Sequence, residues 1–465
     1  MQGIKRIVQI STADIGGGAE RVAMDLHRQF LRASAAGESD LEASVVVGFK
    51  RSLEKGVYEI PPDLATNPWQ RLWLGVANRI PAATPARHVR EKLAFFPRWL
   101  DDLRGRECFR FAASRDIRAR LPHPPDILHA HNLHGRYFDL RALAAYSSAY
   151  PFLITAHDAW LLAGHCAHSF DCERWLRGCG DCPYPETYPA VRRDATDTNW
   201  RTKQEIFRRS RLYITAPSQW LLDKFAASPF AEHLKLCRPV PNGVDLDIYR
   251  PAGADRAALR RRLALPADAF IAIFAANGIR DNPWKDWRTL RRAIESLGTT
   301  SQSRSRSVDG REILLLALGE NAPEQRVERI GRSEVRFLPF DANPRAVADW
   351  YAASDVYVHA TRADTFPLVV LEALGCGLPV IATAVGGVPE QVEQDRTGFL
   401  VAPGNDEAIV DRILSLMNQP DMKSKFAQNA RRSAVRRFSL GRMARDYLSL
   451  YQEVVEGHRS LPSAD

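Results

Sequence analysis

The stretch that decides the fold is HATRADTFPLVVLEALGCGLPVIATAVGGVPE, His359 to Glu390. Two carboxylates, Asp364 and Glu372, stand eight residues apart in it, with Phe366-Pro367-Leu368 between them. Proline suits the first turn of a helix, where its missing N–H would lack a partner anyway. The spacing predicts a loop from Thr365 running into a short helix that ends at Gly375, then a strand over Val380–Thr383. The first amides of such a helix can hold an anion, helped by the positive end of its dipole. Amides for phosphate and carboxylates for hydroxyls would make a nucleotide-diphosphate site. An ordinary αβ unit with surface acids has the same spacing, so this stretch alone does not separate the two.

Upstream of it, Phe270–Ala276, Ile313–Gly319, Val335–Leu338 and Val356–His359 read as apolar strands. They alternate with helical segments, including Asp286–Leu297, as a parallel doubly wound sheet requires. Arg280 and Lys285 flank the loop after the first of these strands, where they would clamp a diphosphate. An isolated Arg/Lys pair is also ordinary surface charge. Thr299–Asp309 is polar and of low complexity, and reads as a loop. Asp406–Tyr451 reads as mostly helical.

The N-terminal half has the same grammar. Ile4–Ser11 is a strand, Gly16-Gly17-Gly18 a tight loop, and Ala19–Leu31 a helix with apolar residues at helical spacing. Glycine at Gly17 and Gly18 would let a phosphate or sugar approach the backbone, or would simply make a turn. The loop is not GxGxxG, so no dinucleotide fingerprint is supported. Leu41–Gly48, Asp126–His131, Pro151–Asp158 and Arg211–Ser218 are further strands. His129, His131 and His157 lie at strand carboxyl ends, where open α/β sheets bind ligands. Pro239–Pro251 has a connector's composition.

At 465 residues the chain exceeds a single hydrophobic core. The expected division is an N-terminal domain over 1–240, a linker over 241–251, a second α/β domain over 252–435 and a C-terminal helix and tail over 436–465. A net charge of +9 favours anionic partners without choosing among them. No apolar run reaches the roughly 18 residues of a membrane span. The first residues lead straight into a strand, so a cytoplasmic, reducing location is expected. Trp69–Leu121 interleaves Trp and Phe with Arg: Trp69, Arg71, Trp73, Arg79, Arg87, Arg90, Lys92, Phe95, Phe96, Arg98, Trp99, Arg104, Arg106 and Arg110. That mixture suits peripheral contact with an anionic membrane, or helices with a solvated basic face. No nucleic-acid motif is present, and nucleic acid is not an expected partner. Cys166, Cys172, Cys179 and Cys182 lie within 17 residues, separated by five, six and two. In a reducing compartment such thiols read as a structural zinc, as redox-labile thiols or as small core residues.

These residues together resemble the family-4 glycosyltransferases of the GT-B fold, which are retaining enzymes. The carriers are Gly17-Gly18 with Glu20-Arg21, His157-Asp158, Pro217-Ser218, Pro241-Asn242-Gly243-Val244-Asp245, Lys285, and Asp364 to Glu372 with Gly386-Gly387. The Cys-rich loop is similar to that of the exopolysaccharide or colanic-acid-type branch, whose members act on polyprenyl-diphosphate-linked acceptors. The resemblance implies two Rossmann-like domains facing across a cleft, with the last helix crossing back to the first. It implies a nucleotide diphosphate sugar as donor and a glycan or lipid-linked acceptor. Glu372 would bind the ribose, and Asp364 would face the donor sugar. The amides of Phe366, Pro367, Leu368 and Val369, with Arg280 and Lys285, would hold the diphosphate. His157 would approach the sugar, and Gly17 and Gly18 would admit phosphate and acceptor. No metal would be required for catalysis. The family has glutamate at the position of Asp364. Two other readings stay open: a nucleotide-sugar epimerase of similar fold, and a non-catalytic sugar-nucleotide-binding protein.

Overall fold

The computed structural model describes residues 4–61, 72–73, 75–76, 95–299, 312–322 and 324–460. Part of the basic aromatic stretch (Trp69, Arg71, Arg79, Arg87, Arg90 and Lys92) and the 300–309 part of the polar loop lie outside them. The chain divides into two compact units: 1–240 with 444–465, and 241–443. The Pro241–Pro251 stretch is not a free connector, because Val244 and Tyr249 are buried in the second unit's core. The Val244 N–H donates to the Phe438 carbonyl at 2.8 Å.

The first unit holds a seven-stranded sheet: β1 (Arg6–Ala13), β2 (Glu42–Phe49), β3 (Val57–Glu59), β4 (Ile127–Ala130), β5 (Phe152–Thr155), β6 (Leu212–Thr215) and β7 (Leu234–Leu236). All pairings are parallel, in the order β3-β2-β1-β4-β5-β6-β7. The second unit holds β8 (Phe270–Ala275), β9 (Ile313–Glu320), β10 (Arg326–Ile330), β11 (Ser333–Pro339), β12 (Val356–His359), β13 (Val380–Thr383) and β14 (Gly398–Val401). Their order is β10-β11-β9-β8-β12-β13-β14, with β10 antiparallel to β11 and the rest parallel. Each unit is thus a Rossmann-like α/β fold, whose strand order reverses once, between β1 and β4 and between β8 and β12. Ligands in such sheets bind outside the strand carboxyl ends at that reversal.

The two faces of the first sheet differ. Val8, Ile10, Leu128, Ala130, Phe152, Ile154, Leu212 and Ile214 form part of one apolar core. The alternate positions, Gln9, Ser11, His129, His131, Thr155 and Thr215, are polar and fully buried. Side chains alternate along a strand, so this is a polar stripe on the opposite face. The last helix, Leu440–Arg459, supplies its cover from residue 444 onward. Tyr451 OH lies 2.8 Å from His129 Nδ1, and Tyr447 OH lies 2.9 Å from Thr155 Oγ1. Among the described residues no helix is long and apolar enough to cross a membrane.

Candidate functional sites at the two sheet reversals

In the second unit, the loop after β8 and the loop after β12 are zipped together. Asp286 N–H donates to the Ala360 carbonyl at 3.1 Å, and Arg362 N–H to the Trp284 carbonyl at 2.8 Å. Thr361 Oγ1 donates to the Trp284 carbonyl at 2.7 Å. This pairing carries Lys285 Nζ to 2.6 Å from Asp364 Oδ2. His359 Nε2 lies 3.3 Å from the same oxygen, and Tyr357 OH lies 3.0 Å from His359 Nδ1. Burial would raise the Asp364 pKa. The Lys285 charge and the His359 contact outweigh it and hold the carboxyl well below its ordinary range. Burial and Lys285 lower the pKa of His359.

The helix expected after Thr365 runs over Leu368–Gly375, but Pro367 is its cap, with an extended ψ of 127°, rather than a residue of its first turn. Proline has no N–H, so only Phe366, Leu368 and Val369 of the expected amide set can donate. Phe366 and Pro367 are buried, whereas Leu368 and Val369 are partly exposed at the helix mouth. The Gly386-Gly387 turn braces this loop: Gly387 N–H donates to the Thr365 carbonyl at 3.0 Å. Gly386 has φ +54°, and a Cβ there would stand 1.9 Å from the Asp364 carbonyl oxygen. Any other residue would push the Asp364 loop away.

Glu372 sits in the fifth position of the helix and is 3% exposed. Burial raises the pKa values of Tyr351 and Tyr357, and the Glu372 charge raises them further. The two expected carboxylates are therefore unlike. Asp364 is engaged by a lysine at the reversal of the sheet, and Glu372 lies in the interior among tyrosines. Arg280 is engaged as well, 3.3 Å from Glu320 at the end of β9 and 5.1 Å above the Phe337 ring. The sequence reading missed His359 and Glu320. His359 ends a strand just as His129 and His131 do, and that signal was available.

In the first unit, Gly17 caps the helix Gly18–Ala35. The side chain of Glu20 fills the space beside the loop: a Cβ on Gly16 would meet Glu20 Cγ at 2.9 Å. At the neighbouring strand ends, His131 Nδ1 lies 2.9 Å from His157 Nε2, and His131 Nε2 lies 2.9 Å from Gln9 Oε1. Burial pulls the pKa of His157 down to about 4 and that of His129 down to about 3. Asp158 faces elsewhere: it accepts from Trp160 N–H at 2.9 Å and pairs with His134 Nε2 at 2.8 Å. A second pair found only in the structure joins the fully buried Lys203 to Glu107 at 2.9 Å.

Cys166, Cys172, Cys179 and Cys182 line one cavity of about 20 Å³ together with His165. The thiols are free. Gly164 N–H donates to Cys179 Sγ at 3.2 Å, and His165 Nε2 lies 3.3 Å from Cys182 Sγ. Among the described residues no group of three or more Cys, His, Asp or Glu is arranged to hold a metal ion. As the thiols stand, they share a cavity without converging on a point.

Comparison with known proteins agrees with this architecture. Residues 70–248 match Glycosyltransferase Family 4, and residues 257–433 match Glycosyl transferases group 1. The D-inositol 3-phosphate glycosyltransferase of Streptomyces scabiei is 38% identical over 195 residues, covering 40% of this chain and 42% of that protein. The chain spans about half the length of the first such curated relatives. The structure of Anabaena HepE in complex with UDP-glucose superposes with a TM-score of 0.57 at 20% identity, over 98% of this chain and 100% of that one. The lipopolysaccharide-biosynthesis glycosyltransferase WaaG superposes with a TM-score of 0.55 at 16% identity, over 98% of this chain and 100% of that one.

Proposed function

We propose that this chain, which carries the two glycosyltransferase regions side by side, is a retaining glycosyltransferase. In this reading it moves a sugar from a nucleotide diphosphate sugar to a glycan or polyprenyl-diphosphate-linked acceptor in exopolysaccharide or cell-envelope assembly. The observation that carries the reading is the Lys285–Asp364 pair, held beside a helix mouth at the reversal of the second sheet. Transfer builds negative charge on the leaving diphosphate. A lysine, an arginine and helix amides fixed in place stabilise such charge without reorganising. Lys285, Arg280 and the N–H groups of Phe366, Leu368 and Val369 take this role, with no metal required. Glu372 binds the ribose hydroxyls from its buried position, Asp364 faces the donor sugar, and His157 contacts the sugar. The UDP-glucose complex of the similar Anabaena structure supports a nucleotide sugar as donor.

The test is turnover of nucleotide sugars by the purified chain and by Glu372→Ala and Lys285→Ala. Both substitutions should abolish most of it, and unchanged turnover in both would overturn the reading.

The shared cavity is the support for a second, structural element: a zinc ion held by Cys166, Cys172, Cys179 and Cys182 as a staple of their loop. Four thiolates would close the coordination shell and leave no catalytic position. Metal analysis of protein purified under reducing conditions should find about one zinc per chain. Folded, reduced protein that takes up none on zinc dialysis removes the staple. A peripheral contact of the basic aromatic segment with anionic membrane belongs to the same proposal.

A further inference from the structure

The strand-end histidines of the first unit form a directional relay, and its direction has chemical content. Gln9 is 0% exposed and His131 is 1% exposed, so solvent does not complete their hydrogen bonds. The atom of Gln9 that faces His131 Nε2 is the amide oxygen, and the amide nitrogen is then buried without a hydrogen-bond partner among the described residues. An oxygen of that kind only accepts, so His131 carries its proton on Nε2. A neutral imidazole has one donor and one acceptor, which leaves a lone pair on His131 Nδ1. The group 2.9 Å from that lone pair is His157 Nε2, which must therefore donate. The single proton of a neutral His157 is thus on Nε2, and its Nδ1 is an acceptor.

The surroundings agree with neutral rings. Burial lowers the pKa values of both His131 and His157. The charge of Asp158, the carboxylate next in sequence, raises the pKa of His157, but burial outweighs it; the Asp158 oxygens themselves are held by Trp160 N–H and His134. His157 is only partly buried, and its Nδ1 has no hydrogen-bond partner among the described residues.

We propose that Gln9 and His131 are positioning residues that fix the tautomer of His157, so that its Nδ1 accepts a hydrogen bond from a substrate hydroxyl. A phosphate oxygen brings only lone pairs and would find no donor there, so the site selects a polyol hydroxyl over a phosphate. The role of His157 on a sugar rests on the glycosyltransferase reading, whereas the tautomer does not.

The decisive measurement is therefore made on the resting full-length chain. Long-range proton–nitrogen spectra of histidine-labelled protein at neutral pH should show His157, assigned by its loss in His157→Gln, in the Nε2–H form alone. His131→Leu removes the acceptor and should give a mixture of tautomers. In His131→Asn the side-chain oxygen can stand in for Nδ1, and the single form should return. Gln9→Leu removes the acceptor of His131 Nε2 and should likewise give a mixture of tautomers. An Nδ1–H or protonated His157 in the wild type overturns the proposal, and so does a His131→Leu spectrum identical to wild type. If His131→Leu does not fold, the wild-type and Gln9→Leu spectra still decide.

In turnover, His131→Leu should lower kcat about tenfold with little change in KM for the nucleotide sugar, and His131→Asn should recover most of the loss. Absence of any transfer alongside the expected tautomer would count against the function and leave the relay standing.

Discussion

The two halves of the molecule use one topology for opposite chemistry. At the reversal of the first sheet stand Gln9, His131 and His157, three neutral groups joined by bonds of 2.9 Å. At the reversal of the second stand Lys285 and Asp364, a charged pair at 2.6 Å with His359 behind it. A neutral relay in a buried setting presents one oriented lone pair. A lysine and carboxylate at a helix mouth present charge and free amides. The topology alone therefore says where a ligand lies, and the side chains say whether it is met as a hydroxyl or as an anion.

The comparison breaks most visibly at Lys285. Lys285→Ala leaves Asp364 buried against His359 without its cation, and losing one partner of a largely buried pair costs far more than losing both. Stability to urea should fall by about 2 kcal/mol, and nucleotide-sugar turnover about a hundredfold. Adding Asp364→Asn should restore part of the stability and none of the turnover. The double-mutant cycle would then report a coupling of about 1 kcal/mol or more. A coupling near zero would mean that the charged character of the second site is incidental, and the contrast with the first unit would lapse.

Much of this contrast was legible in the sequence, for reasons that differ by element. Val356–His359 and Val380–Thr383 were read with the observed ends, because a short apolar run with sharp polar bounds is a buried parallel strand. β10, RVERI, was missed: it is an exposed, charged edge strand, and its hairpin turns at Gly331 with φ +61°. Pro367 was placed one position too far into its helix, since sequence does not distinguish a cap from a first-turn residue. The polar stripe Gln9, Ser11, His129, His131 is visible as a period of two. Its cover is not, because His129 and Tyr451 are 322 residues apart. The partner of Asp364 was hidden for the same reason: a loop pairing after β8 and β12 brings Lys285 across, and no local spacing encodes it. The four cysteines line one cavity, whereas their geometry as ligands lies beyond what spacing fixes.

The smallest expected effect is on acid stability, and it sharpens the comparison because three histidines of lowered pKa stand at the first site and one, His359, at the second. An unfolded histidine takes a proton near pH 6.5. His157 and His129 resist it in the folded chain down to about 4 and about 3. Between those values the unfolded chain binds more protons, so this stability is present above about pH 6.5 and drains as pH falls toward 4. Asp364 is shifted below an ordinary carboxylate pKa of about 3.9, so its contribution is intact above that pH and is lost only below it. His134 opposes the first trend. Burial lowers its pKa, but the Asp158 charge, the Asp158 hydrogen bond and the Glu20 charge together raise it by more, and a raised histidine adds stability toward acid. Hydrogen exchange followed by mass spectrometry, corrected for the intrinsic pH dependence of exchange, can separate the sheets. His359, at the end of β12, also has its pKa lowered by burial, so β12 should lose some protection as well; that of β4 and β5, which carry or adjoin His129, His131 and His157, should fall several-fold more between pH 6.5 and 4.5. His129→Gln, which cannot titrate, should flatten the fall in the first sheet and leave the second unchanged. Equal loss in both sheets over that window would show that the buried imidazoles are not what sets the acid response of the first unit.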